Sequence, residues 1–435
     1  MTVNQILQPT PGPVTPGPAT PEPATGAIAR EFPHPLHTET AAVHGGIARS
    51  PFEETAEALY LTSGYVYGSA EEAAEAFENP DLRYVYSRYG NPTVQMFVDR
   101  LCAIEGAEAG VATASGMSAV FTALIGLLRA GDRLVASRAL FGSCAFVCTD
   151  ILPRFGIITD LVDGTDLAAW ERALATPAKA VFLETPTNPQ LEIVDLAAVA
   201  KLARDAGATV VVDNVFATPL LQRPLELGAD VAVYSATKHI DGQGRCLGGA
   251  ILGSKEYCNE ALSPFVRHTG PSMSPFNAWV LLKGLETLAV RVERQCRTAA
   301  EIAHWLERRA GVRRVLYPFL DSHPQAELAR RQMADGGTVV TFMIEGTIEG
   351  GRREAFALLN ALQLIPISNN LGDAKSLATH PASTTHHRIG AEGRAAVGIG
   401  DDMIRLSVGL EHPDDLIRDL DRALDCAGAL AGPGA

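Results

Sequence analysis

The chain has 435 residues, 47% of them hydrophobic, and a formal net charge of −14. This length and composition predict a large core divided between two domains. The negative net charge argues against a nucleic-acid-binding protein, which would carry a basic patch. A small anionic ligand would need cations placed locally at its site. Seven cysteines without a CxxC pair indicate reduced thiols in the cytoplasm. Cys144 and Cys148 have no cysteine or histidine cluster to complete a zinc pattern, so no metal site is expected.

The N-terminal part of the chain has little material for a core. Prolines at positions 9, 11, 13, 16, 18, 21 and 23 predict an extended or disordered tail over residues 1–35. The tail lacks the basic start and apolar core of a signal peptide. The most hydrophobic stretch, residues 110–128, is long enough to cross a membrane. However, Ser115-Gly116 in its middle is typical of a helix start, which favours a buried strand followed by a buried helix.

From about residue 109 to residue 253, strand-like apolar runs alternate with helical segments. The predicted strands are residues 110–114, 133–136, 156–162, 180–184, 209–212, 231–234 and 250–252. The predicted helices are 115–129, 167–175 and 195–206. Continuous apolar strands separated by helices indicate an α/β fold with a mostly parallel seven-stranded sheet covered on both faces.

The C-terminal part predicts a smaller α/β domain. Residues 277–309 have the pattern of one long amphipathic helix leading into it. A strand at 338–344, a helix at 352–362, a loop at 368–387 and a strand at 403–408 should follow. Pro413 then begins the last helix.

Chemically useful side chains follow the predicted strands. Ligands bind outside the carboxyl ends of the strands in such sheets. Each residue alone suits an ordinary role as a helix cap, turn former or exposed acid, but their coincidence at one edge favours a site. These residues are Ser115, Gly116, Met117, Glu184, Asn188, Asp213 and 235–238.

Lys238 lies between two apolar runs, where burying an ammonium group would be costly. One interpretation is a surface lysine in a loop between strands. The other is a lysine bound as an imine to pyridoxal phosphate (PLP), with Ser235 and Thr237 as hydroxyl donors to the phosphate. Asp213 could then pair with the pyridinium nitrogen of the cofactor.

Two further features would complete such a site. Residues 115–117 place backbone N–H groups at a helix N-terminus, which suits a phosphate, and Arg88 adds a charge partner. Arg405 lies inside an apolar strand, where it needs either a structural salt bridge or a carboxylate ligand. A dinucleotide-binding loop, suggested by Gly242-x-Gly244, is rejected because Leu247 stands where the third glycine belongs.

Together and in this order, these motifs resemble the Cys/Met-metabolism PLP enzymes, the transsulfuration group of fold type I. The resemblance covers roughly residues 38–430, and its matching pieces are 86–93, 114–117, 184–189, 212–214, 235–238 and 405–411. It implies that Lys238 anchors the cofactor, that Asn188 contacts it and that Tyr86 and Arg88 reach the phosphate of a neighbouring subunit. A dimer, commonly paired into a tetramer, is therefore expected. The resemblance also implies three parts of the subunit: an arm at 36–90 that contacts the neighbouring subunit, a PLP-binding domain at 91–290 and a small domain at 291–435.

Within this family, residues 238–245 and 369–377 resemble the O-succinylhomoserine sulfhydrylase branch. That branch implies a γ-replacement in methionine biosynthesis, in which O-succinyl-L-homoserine and sulfide give L-homocysteine and succinate. Phe141 stands where most members stack a tyrosine on the cofactor, so Lys238 would carry more of the proton traffic. The residues expected to bind substrate are Asn370 and Arg405, with Arg245 or Lys375 for the succinyl carboxylate.

Several alternatives remain open at this point. O-Acetylhomoserine sulfhydrylase, cystathionine γ-synthase and γ-lyase activities use the same family framework. A non-catalytic oligomeric binding protein would share the fold without the chemistry. Neither a nucleic acid nor a membrane is expected as a partner.

Overall fold

A seven-stranded sheet forms the centre of the larger part of the molecule. The computed structural model describes residues 36–79, 83–346 and 351–431, so the predicted tail at 1–35 lies outside the described residues. The strands are β1 (Ala109–Thr113), β2 (Arg133–Ser137), β3 (Ile158–Val162), β4 (Ala180–Glu184), β5 (Thr209–Asp213), β6 (Val231–Tyr234) and β7 (Gly249–Gly253). Their spatial order is β1-β7-β6-β5-β4-β2-β3, and β7 runs antiparallel to both of its neighbours. The prediction of a mostly parallel seven-stranded sheet is confirmed.

Helices cover both faces of this sheet. Val211 and Val212 point to opposite faces and enter separate buried clusters, which explains why the central strands are continuously apolar. The helices of the chain are α1 (Thr38–His44), α2 (Ala70–Glu78), α3 (Pro92–Glu105), α4 (Gly116–Leu127), α5 (Gly142–Phe146), α6 (Leu167–Leu174), α7 (Leu196–Asp205), α8 (Thr218–Leu221), α9 (Ser263–Thr269), α10 (Pro275–Leu285), α11 (Leu288–Leu306), α12 (Ala326–Gln332), α13 (Arg352–Ala361), α14 (Gly390–Ala396) and α15 (Pro413–Ala431).

A second, antiparallel sheet forms the core of the C-terminal part. Its strands are β8 (Val312–Leu316), β9 (Val339–Ile344), β10 (Leu377–Thr379) and β11 (Met403–Ser407), in the order β10-β11-β9-β8. Residues from α11, α13 and α15 pack against it in one buried cluster. The sequence did not predict β8, because Arg313 and Arg314 interrupt its apolar pattern, or β10, which lies inside the predicted loop 368–387.

The prediction of one long helix over residues 277–309 was wrong. The structure divides this segment into α10 and α11, and Thr287 between them has φ −111° and ψ 7°. Thr287 Oγ1 accepts a hydrogen bond from Arg291 Nε at 3.3 Å, and a threonine hydroxyl competes with regular helical bonding. The break also brings Arg291 Nη2 to 2.8 Å from the Gly284 carbonyl oxygen.

The N-terminal arm is held to the large sheet by a buried arginine. Arg100 on α3 forms an ion pair with Glu57 and donates from Nε to the Gly45 carbonyl at 2.8 Å. Elsewhere the arm exposes large apolar side chains, including Phe52 and Val66, which are 91% and 88% exposed.

Candidate active site

Two acidic residues lie at the C-terminal ends of neighbouring strands. Glu184 ends β4 and Asp213 ends β5, and the two residues are direct partners in the parallel register. Both are buried. Asp213 Oδ1 accepts a hydrogen bond from the Val215 N–H at 3.1 Å, while burial raises the pKa of its carboxyl to about 6. The strand ends thus place an acid deep in the predicted site.

Lys238 follows β6 and points to the second sheet. Its Nζ donates a hydrogen bond of 2.5 Å to Asn370 Oδ1, in the loop that precedes β10. Burial, with a smaller contribution from the Arg405 charge, lowers the pKa of Lys238 to about 8. At a given pH near neutrality, a larger fraction of Lys238 is therefore the neutral, nucleophilic amine than of a lysine exposed to water.

The N-terminus of α4 forms a narrow cradle. Ser115 caps the helix by accepting a hydrogen bond from the Ser118 N–H at 3.2 Å, which leaves the N–H groups of Gly116 and Met117 without intrahelical partners. Ser235 lies against Gly116 so closely that a Cβ there would come within 2.4 Å of the Ser235 Cβ. Thr237 differs from Ser235, because its Oγ1 accepts a hydrogen bond from the Gly248 N–H at 3.1 Å.

Arg405 on β11 is fully buried without a salt bridge among the described residues. Its Nη1 donates to Asn188 Oδ1 at 3.0 Å, and its Nη2 donates to the carbonyls of Asn369 and Asn370 at 2.8 and 3.1 Å. Within the described part of the chain, Nε has no hydrogen-bond partner. Burial lowers the pKa of Arg405 to about 10, so the guanidinium stays charged at neutral pH. An anionic ligand would satisfy this group.

Phe141 lies directly before α5, close to the end of β4. Its backbone N–H donates to Glu184 Oε2 at 2.8 Å. In the same region Cys144 Sγ lies 3.8 Å from Met117 Sδ. The segment that carries Phe141 is thus fixed to the end of β4 and packs close to the cradle.

Tyr86 and Arg88 are not joined to this cluster within one chain. Across the described residues, no hydrogen bond, ion pair or ring contact connects them with Lys238, Asp213 or Ser235. Instead, Arg88 donates to the Arg267 carbonyl, and its guanidinium lies 4.8 Å from the ring centre of Tyr89. Tyr86 is 40% exposed.

The two cations considered for a distal carboxylate are both paired with aspartates. Arg245 donates to Asp241 through its backbone N–H and Nε, at 2.6 and 2.9 Å, while its Nη1 has no partner in the described residues. Lys375 Nζ lies 3.0 Å from Asp373 Oδ1 and borders a surface groove that includes Ile367.

Sequence reasoning missed one residue beside Arg405. His386 is buried, and burial together with the Arg405 charge lowers the pKa of its imidazole to about 4. Its Nδ1 lies 2.9 Å from Thr385 Oγ1. No periodic pattern or motif spacing distinguishes this histidine from its neighbours in the loop. Only the tertiary structure brings it to the site.

These residues fit PLP. The cradle offers N–H groups and a hydroxyl to a phosphate, Asp213 offers a buried carboxylate to the ring nitrogen, and Lys238 offers an amine that is neutral in part near pH 8. The unpaired Nε of Arg405 suits a substrate carboxylate. The sequence model of the Cys/Met metabolism PLP-dependent enzymes matches residues 39–425.

The chain belongs to this family. Its enzyme class and its cofactor, pyridoxal phosphate, are thereby confirmed, as is the predicted fold. An O-succinylhomoserine sulfhydrylase of Mycobacterium tuberculosis (strain CDC 1551 / Oshkosh) is 61% identical over 91% of this chain and 97% of its own length. The Pseudomonas aeruginosa protein of the same name is 48% identical over 89% of this chain and 94% of its own length.

A solved structure of this family shows the same architecture. The putative O-acetylhomoserine (thiol)-lyase of Campylobacter jejuni superposes with a TM-score of 0.85 at 32% identity, over 90% of this chain and 100% of that one. That structure contains a pyridoxyl-lysine-5'-monophosphate. In the described part of this family member, no helix is long and apolar enough to cross a membrane. No group of three or more possible metal ligands occurs in the same residues.

Proposed function

We propose that the chain is an O-succinylhomoserine sulfhydrylase, which converts O-succinyl-L-homoserine and sulfide to L-homocysteine and succinate in methionine biosynthesis. The observation that carries this proposal is the 61% identity, over almost the whole chain, to a protein of that name. In the reaction the Cγ–O bond to succinate breaks and a Cγ–S bond forms. Hydrogen sulfide gives its sulfur and one hydrogen to the new thiol group. Its second proton is released with the succinate carboxylate.

In this proposal the residues of the cradle hold the cofactor. The N–H groups of Gly116 and Met117 and the hydroxyls of Ser235 and Thr237 would bind the phosphate, and the Asp213 carboxylate would pair with the ring nitrogen. Bound PLP supplies an electron sink for the charge that develops when a proton leaves the substrate. Burial raises the pKa of the Asp213 carboxyl, and a protonated ring nitrogen beside it would favour the ionised carboxylate.

Lys238 carries the proton transfers. Its amine would hold the cofactor, and as a free amine it would accept the proton from the substrate Cα. Asn370 holds its Nζ through a hydrogen bond. Phe141 can pack on a ring but has no proton to transfer, so Lys238 serves the later proton transfers as well.

Arg405 binds the α-carboxylate of the substrate, and Asn188 and the carbonyls of Asn369 and Asn370 hold the guanidinium in place. Arg245 is the better placed of the two cations for the succinyl carboxylate. Asp241 fixes the Arg245 side chain and leaves Nη1 free in the described structure. Lys375 instead borders a surface groove lined by the end of α13 and the loop that follows it.

The proposed active unit is a dimer, paired into a tetramer. Arg88 and Arg267 both lie within 5 Å of the ring centre of Tyr89, at 4.8 and 4.9 Å, and neither has an acidic partner in the described residues. Two such cations suit a phosphate from a neighbouring site. The exposed apolar side chains of the arm, residues 36–90, suit a subunit contact. A large domain at 91–290 and a small domain at 291–435 complete the subunit.

The proposal also places the enzyme in the cytoplasm. All seven cysteines are free thiols, and five of them are buried. Free thiols persist in a reducing compartment.

The direct test is product analysis with purified protein. O-Succinyl-L-homoserine and sulfide should give equal amounts of succinate and homocysteine, and O-acetyl-L-homoserine should be the poorer donor. Release of 2-oxobutanoate and ammonia without any thiol would instead identify a γ-lyase. A clear preference for the acetyl ester would identify an O-acetylhomoserine sulfhydrylase.

A further inference from the structure

Glu184 binds two separate segments of the site through one carboxylate. Its Oε2 accepts the backbone N–H of Phe141 at 2.8 Å, and its Oε1 accepts the backbone N–H of Asn188 at 2.9 Å. Phe141 lies before α5, whereas Asn188 lies in the loop after β4. The side chain is 3% exposed, so neither hydrogen bond has water as an easy replacement.

The two segments have different roles in the proposed site. Phe141 is the ring-packing residue, while the Asn188 side chain accepts the Arg405 Nη1 donor at 3.0 Å. Arg405 in turn donates to the carbonyl of Asn370, whose amide oxygen accepts the Lys238 Nζ. A continuous chain of hydrogen bonds therefore joins Glu184 to the cofactor lysine through the substrate-binding arginine.

Neighbouring groups act on the pKa of Glu184 in opposite directions. Burial and the neighbouring Asp213 raise the pKa of its carboxyl well above the usual value, although the Phe141 and Asn188 N–H groups and the Arg405 charge act in the opposite direction. Asp213 is the direct neighbour of Glu184 in the sheet register. A second acid beside the ring-nitrogen partner is costly, which indicates that this position has a use beyond filling the strand end.

We propose that Glu184 is a positioning residue that sets Phe141 against the cofactor ring and Arg405 against the substrate carboxylate at the same time. The inference rests on the proposed function for the substrate, but its cofactor part depends only on the family. Glutamine cannot replace the carboxylate, because it has one acceptor oxygen and its NH₂ group would meet a backbone N–H donor. One of the two segments would then be released.

The test is the variant Glu184→Gln, studied as holoenzyme. We expect two changes: an altered visible circular dichroism of the bound cofactor, and a KM for O-succinyl-L-homoserine raised by about fivefold or more, the scale of a lost buried hydrogen bond. Asn188→Ala should raise KM by a larger factor than it changes the dichroism. Phe141→Leu should change the dichroism more than it changes KM.

A matched control is available in the second part of the molecule. The Asp419 carboxylate likewise accepts backbone N–H groups, from Gln363, Leu364 and Ile365, and no hydrogen bond or ion pair among the described residues joins it to the site. Asp419→Asn should lower the melting temperature without changing dichroism or KM. If Glu184→Gln behaved in the same way, Glu184 would be structural and the proposal would be overturned.

A second variant keeps the test decisive if Glu184→Gln does not fold. Glu184→Asp retains the charge but is one methylene shorter, so it reaches only one of the two N–H groups. It should therefore move at least one readout, and wild-type values of both would contradict the proposal. Failure of the proposed substrate would be seen separately, as absence of turnover in the wild-type protein, and would leave the dichroism comparison intact.

Discussion

At the scale of single residues, the reactivity of Lys238 depends on where the fold places its amine. Burial and the Arg405 charge both disfavour the ammonium form, and the pKa of the lysine falls from 10.5 to about 8. Asn370 gives the amine one hydrogen bond and a fixed direction. The sequence singled out Lys238, Asn370 and Arg405 as site residues, but not the hydrogen bond between Lys238 and Asn370 that fixes the amine.

The pKa of Lys238 sets the pH dependence of cofactor attachment. Only the neutral amine attacks the aldehyde, and deprotonation occurs as the pH rises through the pKa. The rate of PLP uptake by cofactor-free protein should therefore rise with pH and level off above about 8. Stopped-flow absorbance would measure it, with Lys238→Ala as a control that forms no borohydride-reducible product. A rate that still rises toward pH 10 would contradict the pKa shift.

Arg245 should determine the preference for a succinyl ester. Arg245→Ala should lose roughly 1.5–3 kcal/mol of transition-state binding for O-succinyl-L-homoserine, the scale of a charge-assisted hydrogen bond. The acetyl ester lacks the distal carboxylate and should change much less. The ratio of kcat/KM values for the two esters is the readout, because damage to the turn held by Asp241 affects both equally. Lys375→Ala serves as the control, and a ratio that changes there instead would reassign the carboxylate to Lys375.

At the scale of elements, the N-terminus of α4 packs closely against the segment after β6 because Gly116 has no side chain. Gly116 lets the Ser235 hydroxyl lie directly against the first turn of the helix. A side chain at that position would separate the hydroxyl from the N–H groups. The phosphate would then lose part of its cradle.

Gly116→Ala should weaken cofactor binding. The added Cβ would lie 2.4 Å from the Ser235 Cβ, so one of the two segments must shift. We expect PLP affinity to fall by roughly tenfold or more, because each charge-assisted hydrogen bond contributes about 1.5–3 kcal/mol. Titration of cofactor-free protein measures this. Gly428→Ala on α15, where an added Cβ meets nothing, is the matched control and should leave affinity unchanged. Equal affinity in both variants would contradict the cradle.

The elements show what sequence patterns can and cannot predict. Apolar runs predicted all seven strands of the large sheet, and the central strands β4, β5 and β6 are buried on both faces. The charged pair Arg313-Arg314 interrupts the apolar pattern of β8, so this strand was not predicted. The periodicity of residues 277–309 indicated one helix, but the structure has two helices that meet at Thr287. The site residues on strand ends were predicted from their positions. His386 and the double hydrogen bond of Glu184 depend on tertiary contacts that no local pattern encodes.

At the scale of the whole molecule, no contact among the described residues joins Arg88 to the Lys238 cluster within one chain. Arg88 and Arg267 surround Tyr89 without an acidic partner in the described residues, away from the Lys238 cluster in the contacts described. The same arm exposes Phe52 and Val66. A second copy of the chain would both cover these apolar groups and supply the phosphate.

Mixing two inactive variants tests whether the site is shared. Lys238→Ala and Arg88→Ala should each be inactive or nearly so. After subunit exchange, half of the dimers are mixed and one of their two sites is intact, so roughly a quarter of wild-type activity should return. Exchange is confirmed by mass spectrometry of tagged subunits. No recovery despite exchange would mean that each site is built within one chain.

The choice of thiol tests the proposed function most directly. With O-succinyl-L-homoserine and equal concentrations of sulfide and cysteine, the purified enzyme should form mainly homocysteine, and succinate should appear in the same amount. The products can be separated and measured by mass spectrometry. Cystathionine as the main product would contradict a sulfhydrylase and identify a cystathionine γ-synthase on the same framework.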